Sequence, residues 1–471
     1  MKPVWWRVAV PLLAWLVIVL LPRPTGLQLN AWYYVALFAA VIVGLILEPV
    51  PTAAIGFIGV TFATIMGYVY AKPADSIKWA LSGFSDSTVW LIFGAFVFSI
   101  GYDKTGLGRR IALMLVQWLG GKTLGLGYAI TLADLVLAPG APSNTGRSAG
   151  TIYPIIRNIP ALYGSEPGPT ARKIGAYIMW TAFAATCVTS SMFLTALAPN
   201  PLAISLVKQE TGLDITWTQW FTGFLPVGAL LLVLLPLLVY LIYPPETKSS
   251  REIPVWARQE LDKMGRFTWR EGAMGAIILL VVGFWIFGQS LFNATTVVLI
   301  GVCLMLIARV VDWTDILGNT QSWNVLVWFA TLVTLADGLG RVGFIPWAAH
   351  GVAGLLAGIS PLVIMASLVA FFFFIHYMFA SLTAHTTAVL PVVLAAGMAI
   401  PGVPVKTFAL LLCYSLGIMG VITPYATGPG PVYYGSGFIS RKEFWLLGLV
   451  FGLIFIAALL GIGIPYLTAM G

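Results

Sequence analysis

Charge is what this sequence most lacks. Only 9% of its 471 residues are Asp, Glu, Lys or Arg, while 59% are hydrophobic. No water-soluble globular surface is covered with so few charges, so the chain reads as an all-α polytopic membrane protein. Cysteine is scarce as well. Cys187, Cys303 and Cys413 lie in separate apolar segments without metal-ligand spacing. They read as small packing residues, and neither a metal centre nor a cofactor is expected. A cleavable leader is missing too: Lys2 and Arg7 give a basic start, but Leu20–Leu21–Pro22–Arg23–Pro24 offers no small-residue cleavage site. The run up to Leu21 is therefore a first spanning helix. Nothing has the character of an organelle transit peptide, which points to a multi-pass protein of a bacterial inner membrane. The net charge of +8 does not call for nucleic acid, because Lys and Arg gather on the cytoplasmic side of membrane proteins.

What is present is a succession of apolar segments, each to be compared with the roughly 20 residues needed to cross a bilayer of about 30 Å. In the first half, residues 1–243, spanning helices lead to a hairpin at 124–159 and a broken helix at 174–210, interrupted at Ala198–Pro199–Asn200–Pro201, where two prolines remove backbone donors. Residues 244–270 form the one long polar connection, a cytoplasmic linker. The second half, 271–471, repeats the order with a hairpin at 362–397 and a broken helix at 408–431. Sorting the basic residues with the N-terminus inside gives about 11 crossings and two re-entrant hairpins entering from opposite sides, an inverted repeat.

Each hairpin turns through a polar tip. Overlaid without a gap, the tips pair Ser143 with Ser381, Thr145 with Thr383, and Arg147 with His385. Non-helical backbone at membrane depth is tolerated only where it is buried in protein or lines a wet cavity, so the tips and breaks mark a site. The second limb of each hairpin starts at its tip, and Ser143, Asn144, Ser381 and Thr383 are residue types that favour helix starts. The free N–H groups and positive dipole end there suit carboxylates. Arg147 stands against that dipole, at a cost of about 0.3 to 1 kcal/mol, and its burial adds at least about 2.5 kcal/mol. An anionic ligand would offset both; pairing with Asp134 is the plainer alternative. His350 and His376 read as packing residues, the roles of Asp134 and Asp337 stay open, and Phe371 to Phe374 read as lipid-facing or packing surface.

Four stretches carry a resemblance over nearly the whole chain: Gly101-Tyr-Asp-Lys-Thr-Gly-Leu-Gly-Arg-Arg110, Ala141-Pro-Ser-Asn-Thr145, Ser381-Leu-Thr-Ala-His-Thr-Thr387 and Ile422-Thr-Pro-Tyr-Ala-Thr-Gly-Pro-Gly-Pro-Val-Tyr-Tyr-Gly435. They resemble the divalent anion/sodium symporter family, and within it the exchanger subgroup of citrate/succinate and tartrate/succinate antiporters and 2-oxoglutarate/malate translocators. The resemblance implies an elevator-type transporter, a homodimer, and substrate contacts from Ser143, Asn144, Thr145, Ser381 and Thr383, with Pro199, Asn200, Thr427 and Gly428 at the two breaks. It also implies that Arg147 and His385 are charge-compensating, standing where sodium-coupled members hold Na⁺. The second tip departs from the family pattern, with Leu382 where Asn would stand.

The function expected is sodium-independent antiport of di- or tricarboxylates such as succinate, malate, 2-oxoglutarate, tartrate or citrate. The physical argument is that an empty carrier would drag unpaired positive charge across a low-dielectric barrier, whereas a loaded one would not. The alternative is a sodium-coupled dicarboxylate symporter. An intramembrane enzyme built on Ser381 and His385, four residues apart, lacks a third orienting group, and a channel has no need of broken helices in both halves.

Overall fold

The computed structural model describes residues 5–249, 251–355 and 358–470. Lys2, counted above among the cytoplasmic basic residues, lies outside the described residues. Among the described residues the chain is helical throughout, with one isolated antiparallel bridge between Lys122 and Ser249. Among these residues, seven helices are long and apolar enough to cross a membrane: Leu29–Leu47, Thr123–Gly140, Trp217–Ile242, Trp269–Phe287, Thr320–Arg341, Pro361–Met378 and Arg441–Met470. Shorter apolar helices, such as Trp5–Leu20 and Ala294–Ile307, accompany them. Trp5–Leu20 buries none of its residues, and Leu279 and Phe287 stand open on Trp269–Phe287, surfaces suited to acyl chains.

Three peripheral helices start with reciprocal capping boxes, Thr216 with Gln219, Thr268 with Glu271 and Ser440 with Glu443. Each box satisfies two backbone donors that a helix start leaves open. The polar connection between the halves is itself structured. Its helix Glu252–Met264 buries Ile253 and Ala257 against Leu107–Leu119. Arg110 fastens the far end, with Nε 2.5 Å from Glu271 Oε1 and Nη1 donating to the Gly265 carbonyl at 3.1 Å.

The centre is built from the two broken helices. The first runs Gly175–Met192, turns through Leu194–Ala196 and resumes as Pro199–Thr211. The second runs Val405–Ile418, turns through Met419–Val421, and resumes as Gly430–Gly435. Every residue of Gly175–Met192 is buried, and its Ala, Thr and Ser content lets neighbours approach closely, as helix contacts in lipid require. One close approach is at Gly417, where an added Cβ would lie 2.4 Å from Ser191 Oγ and 2.8 Å from the Cys187 carbonyl oxygen. Ser191 Oγ donates to the Tyr414 carbonyl at 2.7 Å and accepts the Ile418 N–H at 3.1 Å.

The two hairpins pack around this centre. The first pairs Thr123–Leu137 with a π-helix, Thr145–Ile152, that continues as Tyr153–Ile156. Within the hairpin expected at 124–159, this second limb is widened at its start and its helix ends at Ile156. The second pairs Pro361–Phe374 with Leu382–Met398.

Candidate functional site at the hairpin tips

The overlay of the two tips holds at the level of individual hydrogen bonds. Ser143 Oγ accepts the Gly146 N–H at 3.1 Å, and Ser381 Oγ accepts the Ala384 N–H at 3.3 Å. The Arg147 N–H reaches the Ser143 carbonyl at 2.8 Å, and the His385 N–H reaches the Ser381 carbonyl at 3.0 Å. Each serine thus opens its helix in the same way, by satisfying a donor of the first turn.

The second break joins the tips. Its consecutive residues Ala426, Thr427 and Gly428 touch both hairpins. Asn144 Nδ2 donates to Thr427 Oγ1 at 2.8 Å. Gly428 lies against Thr145 so closely that an added Cβ would sit 1.9 Å from its hydroxyl oxygen, so only glycine admits that approach. On the other side the Ala426 carbonyl accepts Nε2 of His376 at 2.8 Å. The first break grips the first tip: Thr195 Oγ1 donates to the Pro139 carbonyl at 2.7 Å. Thr145 and Gly428 are exposed, Ser143 and Ser381 half-buried, and Thr383 buried. Pro199 and Asn200 are buried in the first break. Asn200 braces that break from within, its Nδ2 on the Ser190 and Phe193 carbonyls at 2.8 and 3.2 Å.

Arg147 is fully enclosed and fully used. Its Nε faces Asp134 Oδ2 at 3.2 Å. Its Nη1 donates to the carbonyls of Ala141 and Ala196, both at 2.8 Å. Its Nη2 reaches the hydroxyls of Thr186, Thr189 and Ser190, each at 3.3 Å. Thr189 in turn donates to Asp134 Oδ2. The expectation of an unpaired charge at this tip is corrected accordingly, because Asp134 supplies the counter-charge. Removing either partner of such a buried pair costs far more than forming it gains.

His376, read from sequence as a hydrogen-bonded packing residue, is buried and bonded to the Ala426 carbonyl, and it has a partner that reading did not name: its Nδ1 stands 3.2 Å from His385 Nδ1. Both rings are buried, and His385 is flanked edge-on by Phe372 and Phe379 at 4.4 and 5.0 Å between ring centres. The signal was available: a hairpin turning at 379–381 brings its limb ends together, and His376 and His385 bracket that turn. His350 lies apart, on the carbonyl of its own Pro346.

A small cavity of about 70 Å³ adjoins the first tip, lined by Ser143, Gly146, Arg147 and Thr151 together with Tyr102, Asp103 and Gln321. Tyr102 also closes on the turn at Gly140, where an added Cβ would meet its hydroxyl at 2.8 Å. Among the described residues no cluster of three or more His, Cys, Asp or Glu side chains has metal-binding geometry.

The match to known proteins is extensive. The model of the sodium:sulfate symporter transmembrane region matches residues 2–471. The chain belongs to that family. It is 49% identical over 476 residues to a citrate/succinate antiporter of Escherichia coli strain K12, covering 98% of each chain. It is 46% identical over 485 residues to an L-tartrate/succinate antiporter of Shigella sonnei, covering 100% of each. Among solved structures, the Alcanivorax borkumensis YdaH transporter superposes with a TM-score of 0.58 at 16% identity, over 84% of this chain and 89% of that one. Neisseria gonorrhoeae MtrF does so with 0.56 at 12% identity, over 94% and 96%. At those identities the likeness is one of fold. This member of the family is a multi-pass helical protein of the inner membrane.

Proposed function

We propose that this protein exchanges di- and tricarboxylates across the inner membrane by antiport that does not require sodium. The observation that carries the exchange reading is the near-full-length identity to relatives named as citrate/succinate and L-tartrate/succinate antiporters. The substrate sits between the tips, held by Ser143, Asn144 and Thr145 from one side, Ser381 and Thr383 from the other, and Thr427 and Gly428 from the break that touches both. Hydroxyls and helix-start N–H groups are donors, and donors are what carboxylates take. Pro199 and Asn200 shape the first break, with Asn200 acting through the backbone it braces.

Sodium independence is supported by what Arg147 occupies. Its guanidinium collects two carbonyls, three hydroxyls and a carboxylate at the first tip, the kind of oxygen set that a bound cation requires. The protein's own cation fills it. This keeps Arg147 in the charge-compensating role and changes the physics behind it, since Asp134 travels with it as a neutral pair. The remaining charge of the carrier then rests on His385. The hairpins are re-entrant in this reading, about eleven helices cross, and the halves 1–243 and 271–471 are inverted about the linker. An elevator movement of the hairpins and broken helices within a homodimer completes the proposal.

Counterflow in proteoliposomes tests it. Labelled succinate is expected to enter vesicles preloaded with succinate, malate, tartrate or citrate when choline replaces all Na⁺. Absence of counterflow with every carboxylate in such a panel overturns the reading.

A further inference from the structure

The two histidines of the second hairpin form a hydrogen-bonded chain whose direction can be read from its end. A carbonyl only accepts, so His376 Nε2, 2.8 Å from the Ala426 oxygen, carries a hydrogen. In the neutral ring its Nδ1 is then a bare acceptor, and the 3.2 Å contact between the two Nδ1 atoms is made only if His385 donates. His385 therefore gains or loses a proton at Nε2 alone. That atom is buried and has no hydrogen-bond partner in the protein, a position that is unfavourable when left unsatisfied.

We propose that His376 is a positioning residue that fixes the tautomer of His385, so that the pair presents one acceptor, His385 Nε2, to one acidic hydrogen taken up with the carboxylate ligand. The proposal rests on the carboxylate-exchange reading above. The step balances simply. The Nε2 lone pair takes a proton from hydronium, whose O–H bond breaks to leave water, or from the ligand's own carboxylic acid, whose O–H bond breaks to leave a carboxylate, and no bond within the protein breaks. The pair holds at most one added proton, because a second would set one Nδ1–H against the other at 3.2 Å. The site thus switches between neutral and singly positive, and the positive form suits a bound anion.

The surroundings leave His376 as the governing neighbour. The helices packed against Leu382–Met398 carry Lys208 and Glu210, Asp337 and Arg341, and Lys406 toward their ends, His350 on Phe344–Leu355, and the uncharged Tyr33, Tyr34, Cys413 and Tyr414. Among the described residues, His376 is the titratable group whose ring faces His385, with ring centres 4.9 Å apart. Phe372 and Phe379 stand edge-on beside it.

The chain has three histidines, so ¹⁵N-histidine labelling of the His350→Asn protein leaves two rings to observe, and a further His376→Phe change isolates His385. The expected spectrum of the empty protein has the bare nitrogen of His385 at Nε2, and adding succinate shifts the His385 titration to higher pH. In His376→Phe, both tautomers of His385 appear. The KM for succinate in counterflow then rises about tenfold at alkaline pH, the loss of one charge-assisted bond. His376→Asn, whose Oδ1 again offers an acceptor, restores the parent pH profile. A bare Nδ1 on His385, or an unchanged pH profile in a well-folded His376→Phe protein, overturns the proposal. A bare Nε2 in a protein that fails to exchange any carboxylate keeps the role of His376 and removes the transport reading instead.

Discussion

The two tips share a backbone plan and differ in how finished they are. At the first, a cation is buried beside a carboxylate, and the carbonyls and hydroxyls around it take up its donors. At the second, among the described residues, no carboxylate pairs with His385, Leu382 stands where the first tip has Asn144, and a buried imidazole nitrogen is left without a partner. The cation of the first tip has its counter-charge within the protein, with Asp134 Oδ1 left without a hydrogen-bond partner, whereas the imidazole of the second tip faces another imidazole. The lesson is that two hairpin tips with the same backbone contacts are free to carry different chemistry.

The comparison breaks most severely at Arg147. Arg147→Met leaves Asp134 buried without its counter-charge, which is expected to cost about 3 to 5 kcal/mol and to abolish counterflow. Thermal melts in detergent check the first effect, and the Arg147→Met, Asp134→Leu double variant should recover part of the stability without exchange. A single variant that melts like the parent contradicts the picture of a self-neutralised first tip. Gly428→Ala comes next: its new Cβ collides with Thr145, for an expected loss of about 1 to 3 kcal/mol. Adding Thr145→Ala removes the hydroxyl and leaves the nearest Thr145 atom, its Cβ, at 3.2 Å. Partial recovery of the melting temperature is expected.

Asn144→Ala sharpens the comparison more gently. It removes the link from the first tip to Thr427, about 0.5 to 1.5 kcal/mol net, and should raise the KM for succinate more than it lowers stability. Smallest of all is Lys208→Ala. Its pair with Asp214 is made by side chains 59% and 75% exposed, and its loss should change the melting temperature by less than about 1 kcal/mol would.

Much of this was legible in sequence, for identifiable reasons. Prolines and short polar runs inside apolar segments locate the breaks and tips because such backbone has few stable places in a membrane protein. The pairing of Ser143 with Ser381 carried through to the same N–H contacts one turn on. What sequence left open was which partner each charge would choose. Asp134, thirteen residues before Arg147, was one option, and the distances decide for it. His376 reads as a hydrogen-bonded packing residue with no partner named, although a hairpin turning at 379–381 puts it and His385 on either side of the turn. The π-helix at Thr145–Ile152 leaves no periodic signature over eight residues and could not have been read.

The central claim is exchange without sodium, with Arg147 as the resident cation of the first tip. The most direct measurement imposes an inward Na⁺ gradient on proteoliposomes and follows labelled succinate, with and without dicarboxylate inside. The account predicts uptake only into preloaded vesicles, at the same rate in choline as in Na⁺. Uptake into vesicles lacking internal dicarboxylate that follows the Na⁺ gradient would contradict it.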